Sequence, residues 1–187
     1  MTTTSFSSRI ALIAALAVTL AGSARAQAHF EQSLTLSGGL YAASGFGTNF
    51  YSSGRYDYFI PGTRYFVEAS LGVGSLSSKV ISTVTKARIF TSDNLVTYEF
   101  AGAFDYAPGG AMPYFLFGVG GVREGQETHF AGVLGIGKRI ALPGFLGSNA
   151  LGFRYDIRDQ IFSQVINNSD PFIVHNITAT VGLQIYF

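Results

Sequence analysis

Arg154, Asp156 and Arg158 occupy alternate positions in the stretch LGFRYDIRD (151–159), and Arg64, Glu68 and Glu99 sit in similar apolar and aromatic surroundings earlier in the chain. Three acids and three bases can do two kinds of chemistry. They can lock into one another as a buried ionic network, or they can line a path for ions. Little else in the chain points to chemistry. There is no cysteine, which removes disulfides, thiolate metal sites and a lipid-modified amino-terminal cysteine. His29, His129 and His175 are scattered with no HxxxH spacing, so a metal site is not indicated. The glycines of GVGGVREG (118–125) and GIGK (135–138) imitate a phosphate loop, but no helix follows them, and a phosphate loop needs one. No cofactor is implied.

The elements that carry the six charges read with a period of two. In the closing HNITATVGLQIYF (175–187), every second residue from Ile177 to Phe187 is apolar, and Thr178, Thr180, Gly182, Gln184 and Tyr186 lie between them. Side chains of a strand point to opposite faces in turn, so this is a strand with one apolar face. The same rhythm predicts strands over Gln32–Tyr41, Thr63–Gly74, Leu95–Tyr106, Pro113–Val122, Thr128–Ala141 and Ala150–Asp159, with a weaker one over Lys79–Phe90. Eight strands result. Between the first two lies a Gly-, Tyr- and Phe-rich segment, Ala42–Gly62, read as a long loop, and Gln160–Phe172 is read as another. Shorter links are expected near Ser75–Ser78, Ala107–Ala111 and Leu142–Asn149.

Composition says what must cover the apolar faces. Of 187 residues, 23 are Gly, 17 Phe and 10 Tyr, and only 12% are charged, against about 25% in ordinary soluble domains. The amino-terminus, Arg9 followed by the apolar run Ile10–Gly22 and the small residues Ala24-Arg25-Ala26, has the form of a secretory signal peptide. That run is shorter than the roughly 20 residues of a spanning helix. Cleavage after Ala26 gives two segments, a signal peptide 1–26 and a mature domain 27–187 with one more acidic than basic residue. Its near-neutral balance offers no basic stripe for nucleic acid. With no long apolar segment and a surface too greasy for water, the mature chain can cross a bilayer only as a closed barrel. The fold expected is all-β, an eight-stranded antiparallel up-and-down transmembrane barrel. An even count puts both termini on one side, and the two longest links then both fall on the other. The interior is barely wide enough for side chains, so Arg64, Glu68, Glu99, Arg154, Asp156 and Arg158 are expected to pair within it as a plug. Tyr65, Tyr98, Phe100, Phe104, Tyr106, Phe115, Phe117, Phe153 and Tyr155 are expected on the lipid side.

The signal peptide, the eight amphipathic segments, LGFRYDIRD and the closing VGLQIYF resemble the small outer-membrane β-barrel family that includes the OmpA and OmpX transmembrane domains, over the whole of 27–187. The resemblance implies an outer membrane of a Gram-negative-type bacterium, with lipids and lipopolysaccharide around the barrel. It implies that Ala179, Val181, Leu183, Ile185 and Phe187 form a carboxy-terminal signal read by the barrel-assembly machinery. Some relatives in this class deacylate lipid A with a His placed two residues before a Ser. His175 is followed by Asn176, Ile177 and Thr178, so that pattern is absent. The function expected is therefore non-enzymatic, structural or surface-binding, exercised through outer loops and chiefly through Phe46–Phe59, with a surface ligand as partner. A narrow porin-like conduit for ions or small solutes is the alternative, and a lipid A-modifying enzyme a more distant one.

Overall fold

The computed structural model describes residues 30–43, 47–81, 88–106, 113–142, 150–164 and 171–187. The expected signal peptide lies outside the described residues. Eight strands follow in order: β1 (Gln32–Ala43), β2 (Gly47–Phe59), β3 (Tyr65–Ile81), β4 (Arg88–Asp105), β5 (Tyr114–Glu124), β6 (Glu127–Ala141), β7 (Leu151–Gln164) and β8 (Phe172–Tyr186). Each pairs antiparallel with its neighbour in sequence, and β1 pairs with β8, which closes the barrel. Ladder bonds at the closing seam continue past the strand ends: Gln32 donates its backbone N–H to Phe187 over 3.1 Å, and Phe187 donates back over 3.0 Å. Closure leaves no sheet edge around the ring, so the backbone is satisfied internally.

Alternation assigns the faces. In β8, Val174, Asn176, Thr178, Thr180, Gly182, Gln184 and Tyr186 are buried, whereas His175, Ile177, Ala179, Val181, Leu183, Ile185 and Phe187 are exposed. Exposure of large apolar residues such as Leu36 at 68%, Phe117 at 62% and Leu183 at 57% shows that the apolar face is the outer one. The interior is polar at mid-height and apolar toward both ends. We call the end that carries Gln32 and Phe187 the terminal end and the opposite one the distal end.

Three expectations are corrected. Gly47–Phe59 is not a loop: it is β2, in ladder with β1 from Gln32↔Tyr58 to Ala43↔Gly47 and with β3 from Tyr51↔Gly74 to Phe59↔Phe66. Its outward residues are Phe50, Ser52, Gly54, Tyr56 and Tyr58, its inward ones Asn49, Tyr51, Ser53, Arg55 and Asp57. With no aliphatic face, the segment carries no visible alternation. Lys79–Phe90 is not a separate strand, and Ser75–Ser78 is not a turn. One unbroken β3–β4 ladder runs from Tyr65↔Phe104 to Ile81↔Arg88, so both segments belong to a single long hairpin. The count of eight holds because one strand missed and one strand invented cancel. Finally, β7 continues to Gln164 and β8 begins at Phe172, so much of the expected Gln160–Phe172 loop is strand. The distal asymmetry comes from long strands rather than long loops.

Beyond Tyr51↔Gly74 and Leu95↔Glu124, β3 and β4 pair only with each other among the described residues. Seven further pairs, Ser75↔Asn94 to Ile81↔Arg88, form a two-stranded ribbon. At about 3.4 Å per residue it extends roughly 24 Å beyond those last ladder pairs, with its base still beside β2, which continues to Gly47. Asn49 of β2 props its base, accepting from the backbone N–H of Ser77 at 2.8 Å and from its hydroxyl at 2.9 Å.

Candidate functional site

The interior charges come from strands far apart in sequence and meet on one axis. Arg154, on β7, is fully buried and donates Nη1 to Asp57 of β2 at 2.9 and 3.0 Å, Nη2 to Glu68 of β3, and Nε to the Tyr114 hydroxyl at 2.8 Å. Its guanidinium also lies 5.0 Å from the centre of the Tyr114 ring. Arg158, two inward steps along the same strand, reaches Asp156 at 2.8 Å, Glu99 at 2.6 Å and Glu68 at 2.6 Å. Arg55 of β2 donates to Asp156 at 2.5 Å and to the Thr180 hydroxyl at 2.8 Å. Neutral groups take the remaining valences: Ser33 and Gln184 donate to Asp57 at 2.9 and 3.0 Å, and Gln160 donates to Glu99 at 2.5 Å.

Of the six residues read from the sequence as lumenal, Glu68, Glu99, Arg154, Asp156 and Arg158 are brought together here, all buried. Arg64 is the exception and is corrected. It lies before β3 in the turn at the terminal end, exposed, donating to the Tyr106 carbonyl at 3.2 Å with its guanidinium 5.9 Å from that ring. Its even number matches the inward parity of β3, but the strand starts only at Tyr65, so parity has no hold on it. Arg55 and Asp57 were missed with β2. Asp105 and Arg139, which pair with each other near the terminal end, were missed: Asp105 stands between Phe104 and Tyr106, and Arg139 between Lys138 and Ile140 near the end of a Gly-spaced strand. Alternation counted forward from Glu99 and from Ala131 would have found both.

An apolar layer closes the distal side of this network: Tyr41, Tyr51, Leu76, Leu95, Val122, Phe162 and Val174 are all buried and in one cluster. Tyr51 donates to or accepts from the Thr97 hydroxyl at 2.6 Å. A second apolar cluster, with Phe66, Tyr114, Leu116 and Val133, lies toward the terminal end. Side chains therefore fill the axis at three levels, as the diameter of eight strands requires.

Outside, Tyr65, Tyr98, Phe100, Tyr106, Phe115, Phe117 and Phe153 are exposed, and Phe104 and Tyr155 are partly so. Tyr65 and Phe104 pack at a tilt, 5.3 Å between ring centres, and Phe104 meets Tyr106 edge-on at 6.4 Å, beside Arg64 at the terminal end. Ala179, Val181, Leu183, Ile185 and Phe187 form one exposed row along β8. His175 points outward and pairs with Asp159 at 2.7 Å, while His129 stacks on Phe162 at 4.8 Å. His29 lies outside the described residues. The two glycine-rich stretches run along β5 and β6. No described helix is long and apolar enough to cross a membrane.

This closed ring of eight strands is known from solved structures. Neisserial surface protein A matches with a TM-score of 0.52 and 11% identity, over 84% of this chain and 97% of that one. The chain has the fold of a small outer-membrane barrel. Two other matches are Ail, the attachment invasion locus protein of Yersinia pestis, solved with the heparin analogue sucrose octasulfate (TM-score 0.49, 11% identity, 84% of this chain and 100% of that one), and the N-terminal β-barrel domain of Pseudomonas aeruginosa OprF (TM-score 0.44, 14% identity, 83% and 97%). At these identities the likeness is one of fold. No protein-family model and no curated protein sequence matches the chain.

Proposed function

We propose that the chain is an integral protein of the outer membrane of a Gram-negative-type bacterium, delivered there by a signal peptide over residues 1–26, with no catalytic role of its own. Its work lies at the distal surface. The supporting observation is the contrast between inside and outside. The axis is packed with ion pairs between buried side chains and capped by an apolar layer, whereas the outer face is apolar and the β3–β4 ribbon projects past the ring. A filled barrel has nothing to conduct and an apolar girdle to place in lipid. What projects beyond the ring to meet a surface partner is the distal end.

The ribbon takes the place that the sequence reading gave to Phe46–Phe59, which the β2 ladder holds in the ring. Lipids and lipopolysaccharide surround the girdle in this reading, and the ribbon contacts a surface ligand. The row Ala179, Val181, Leu183, Ile185 and Phe187 serves as the assembly signal during biogenesis.

The native chain has no cysteine, which makes the test clean. Single variants Asp93→Cys, on the ribbon, and Thr63→Cys, in the turn at the terminal end, are exposed to a membrane-impermeant maleimide on whole cells. Labelling of Asp93→Cys alone, with Thr63→Cys reacting only after permeabilisation, is the expected result. The reverse pattern, or stable conductance steps from the native protein in planar bilayers, would overturn the reading.

A further inference from the structure

At the terminal end a cleft of about 290 Å³ opens between the β2–β3 turn, β1 and the last residues of β8, lined among others by Phe30, Phe59, Phe66, Tyr186, Arg64 and Arg139. Arg139 forms part of its inner wall. Its side chain is 3% exposed, its Nη2 pairs with Asp105, and its guanidinium lies 4.5 Å from the Phe59 ring centre and 4.3 Å from that of Phe66. The other two nitrogens, Nε and Nη1, are buried with no hydrogen-bond partner among the described residues. A buried N–H left unpaired is destabilising, and more so on a charged group. Arg55 and Arg158 each leave one nitrogen unpaired within the ion network. Arg139 leaves two, and it has one carboxylate, three aromatic rings within 5.6 Å of its guanidinium and a cleft.

We infer that this cleft is a binding site for a small monoanionic ligand, a carboxylate carried on an apolar or aromatic body. The carboxylate accepts from the free Arg139 donors, charge-assisted and away from water, where such bonds are strong. Phe30, Phe59 and Tyr186 supply the walls for the body; Phe59 lies 6.3 Å from the Tyr186 ring and Phe30 6.0 Å from it. The cleft also holds Glu31 and Asp105. These two acids offset Arg64 and Arg139, so the preference for an anion rests on the unpaired Arg139 donors, and a second negative charge would meet no further cation. The volume is at the small end of ligand pockets, about 300 to 1,000 Å³, which sets the ligand near ten heavy atoms. The site faces the side of the membrane opposite the ribbon and is independent of the proposed surface role.

The test uses the full mature chain refolded into phospholipid nanodiscs, with empty nanodiscs as the blank and 3-phenylpropionate as probe, followed by ligand-observed NMR. Saturable binding of the acid is expected, at least tenfold tighter than that of the neutral 3-phenylpropionamide. Arg139→Gln removes the cation and is expected to erase the difference, and Ile60→Trp, which blocks the mouth without touching the ion pair, is expected to weaken acid and amide alike. Heat-modifiable gel mobility checks that each variant is folded. Equal binding of acid and amide by the native protein, absence of saturation, or unchanged acid binding in a folded Arg139→Gln or Ile60→Trp variant would each overturn the site. The acid-against-amide comparison needs no variant at all.

Discussion

Arg154 is the residue on which the interior turns. It is fully buried and holds Asp57 and Glu68 from two other strands, with Asp156 3.3 Å from its Nε. Removing one member of a buried ion network leaves the others charged and uncompensated, at a cost of about 3 to 5 kcal/mol. Arg154→Ala should therefore lower the stability of the refolded protein by that amount in urea unfolding from lipid vesicles, and added salt should change it little, since buried pairs are weakly screened. Arg64→Ala is the control. Its exposed contacts with Tyr106 make it worth less than about 1 kcal/mol. Equal losses in the two variants would show that the charges are not organised as described. The sequence already showed that Arg154, Asp156 and Arg158 share a face, because a strand's parity is local. It could not show that Asp57 is their partner, because an ion pair across 97 residues is made by the ring and not by spacing.

At the scale of elements, the ribbon and the seam make opposite demands. Beyond its base, where Leu76 is buried in the distal apolar layer, Asn94 accepts from the Gly125 N–H and Ser77 donates to Asn49, the ribbon pairs only with itself among the described residues. Excising residues 77–92 and joining the ends with a short turn should leave the barrel folded, with heat-modifiable mobility retained and any surface binding lost. The seam tolerates no such change. A Cβ placed on Gly39 of β1 would lie 2.0 Å from the carbonyl oxygen of Ala179 on β8, a backbone atom that cannot swing away. Gly39→Ala should therefore push β1 from β8 and speed amide hydrogen exchange in those two strands above the rest. Uniform exchange across all eight strands in that variant would mean the seam is not the sensitive joint. β2 was illegible for a physical reason. Its outer face is aromatic and small and its inner face polar and charged, so no contrast in hydropathy marks the alternation that its ladder imposes.

For the whole molecule the decisive property is which face meets lipid. Leu183 is 57% exposed on β8, between Val181 and Ile185. In a bilayer a lipid-facing Arg costs about 2 to 4 kcal/mol at mid-depth, so Leu183→Arg should impair insertion and stability by that much, whereas Gln184→Leu, inside, should act by stripping Asp57 of a donor at 3.0 Å. Measuring both in vesicles and in micelles separates them, since only the Leu183 variant should recover in a detergent that lets the charge reach water. Leu183→Arg with native stability in vesicles would place that face out of the membrane.

The rhythm of two, the low charge, the aromatic abundance and the absence of any helical span were enough to determine a closed all-β barrel, because a backbone with no water to bond must pair with itself. They also determined the parity of β7 and β8, where apolar and polar or small residues alternate from Leu151 to Arg158 and from Ile177 to Phe187. Tertiary structure alone decided which segments are the eight strands, that Arg64 stands outside the network while Arg55 and Asp57 stand within it, that Asp105 and Arg139 pair with each other apart from it, and that the reach of the distal end comes from a ribbon. Those outcomes depend on ladder register and on ring closure, which bring together residues that no local pattern relates.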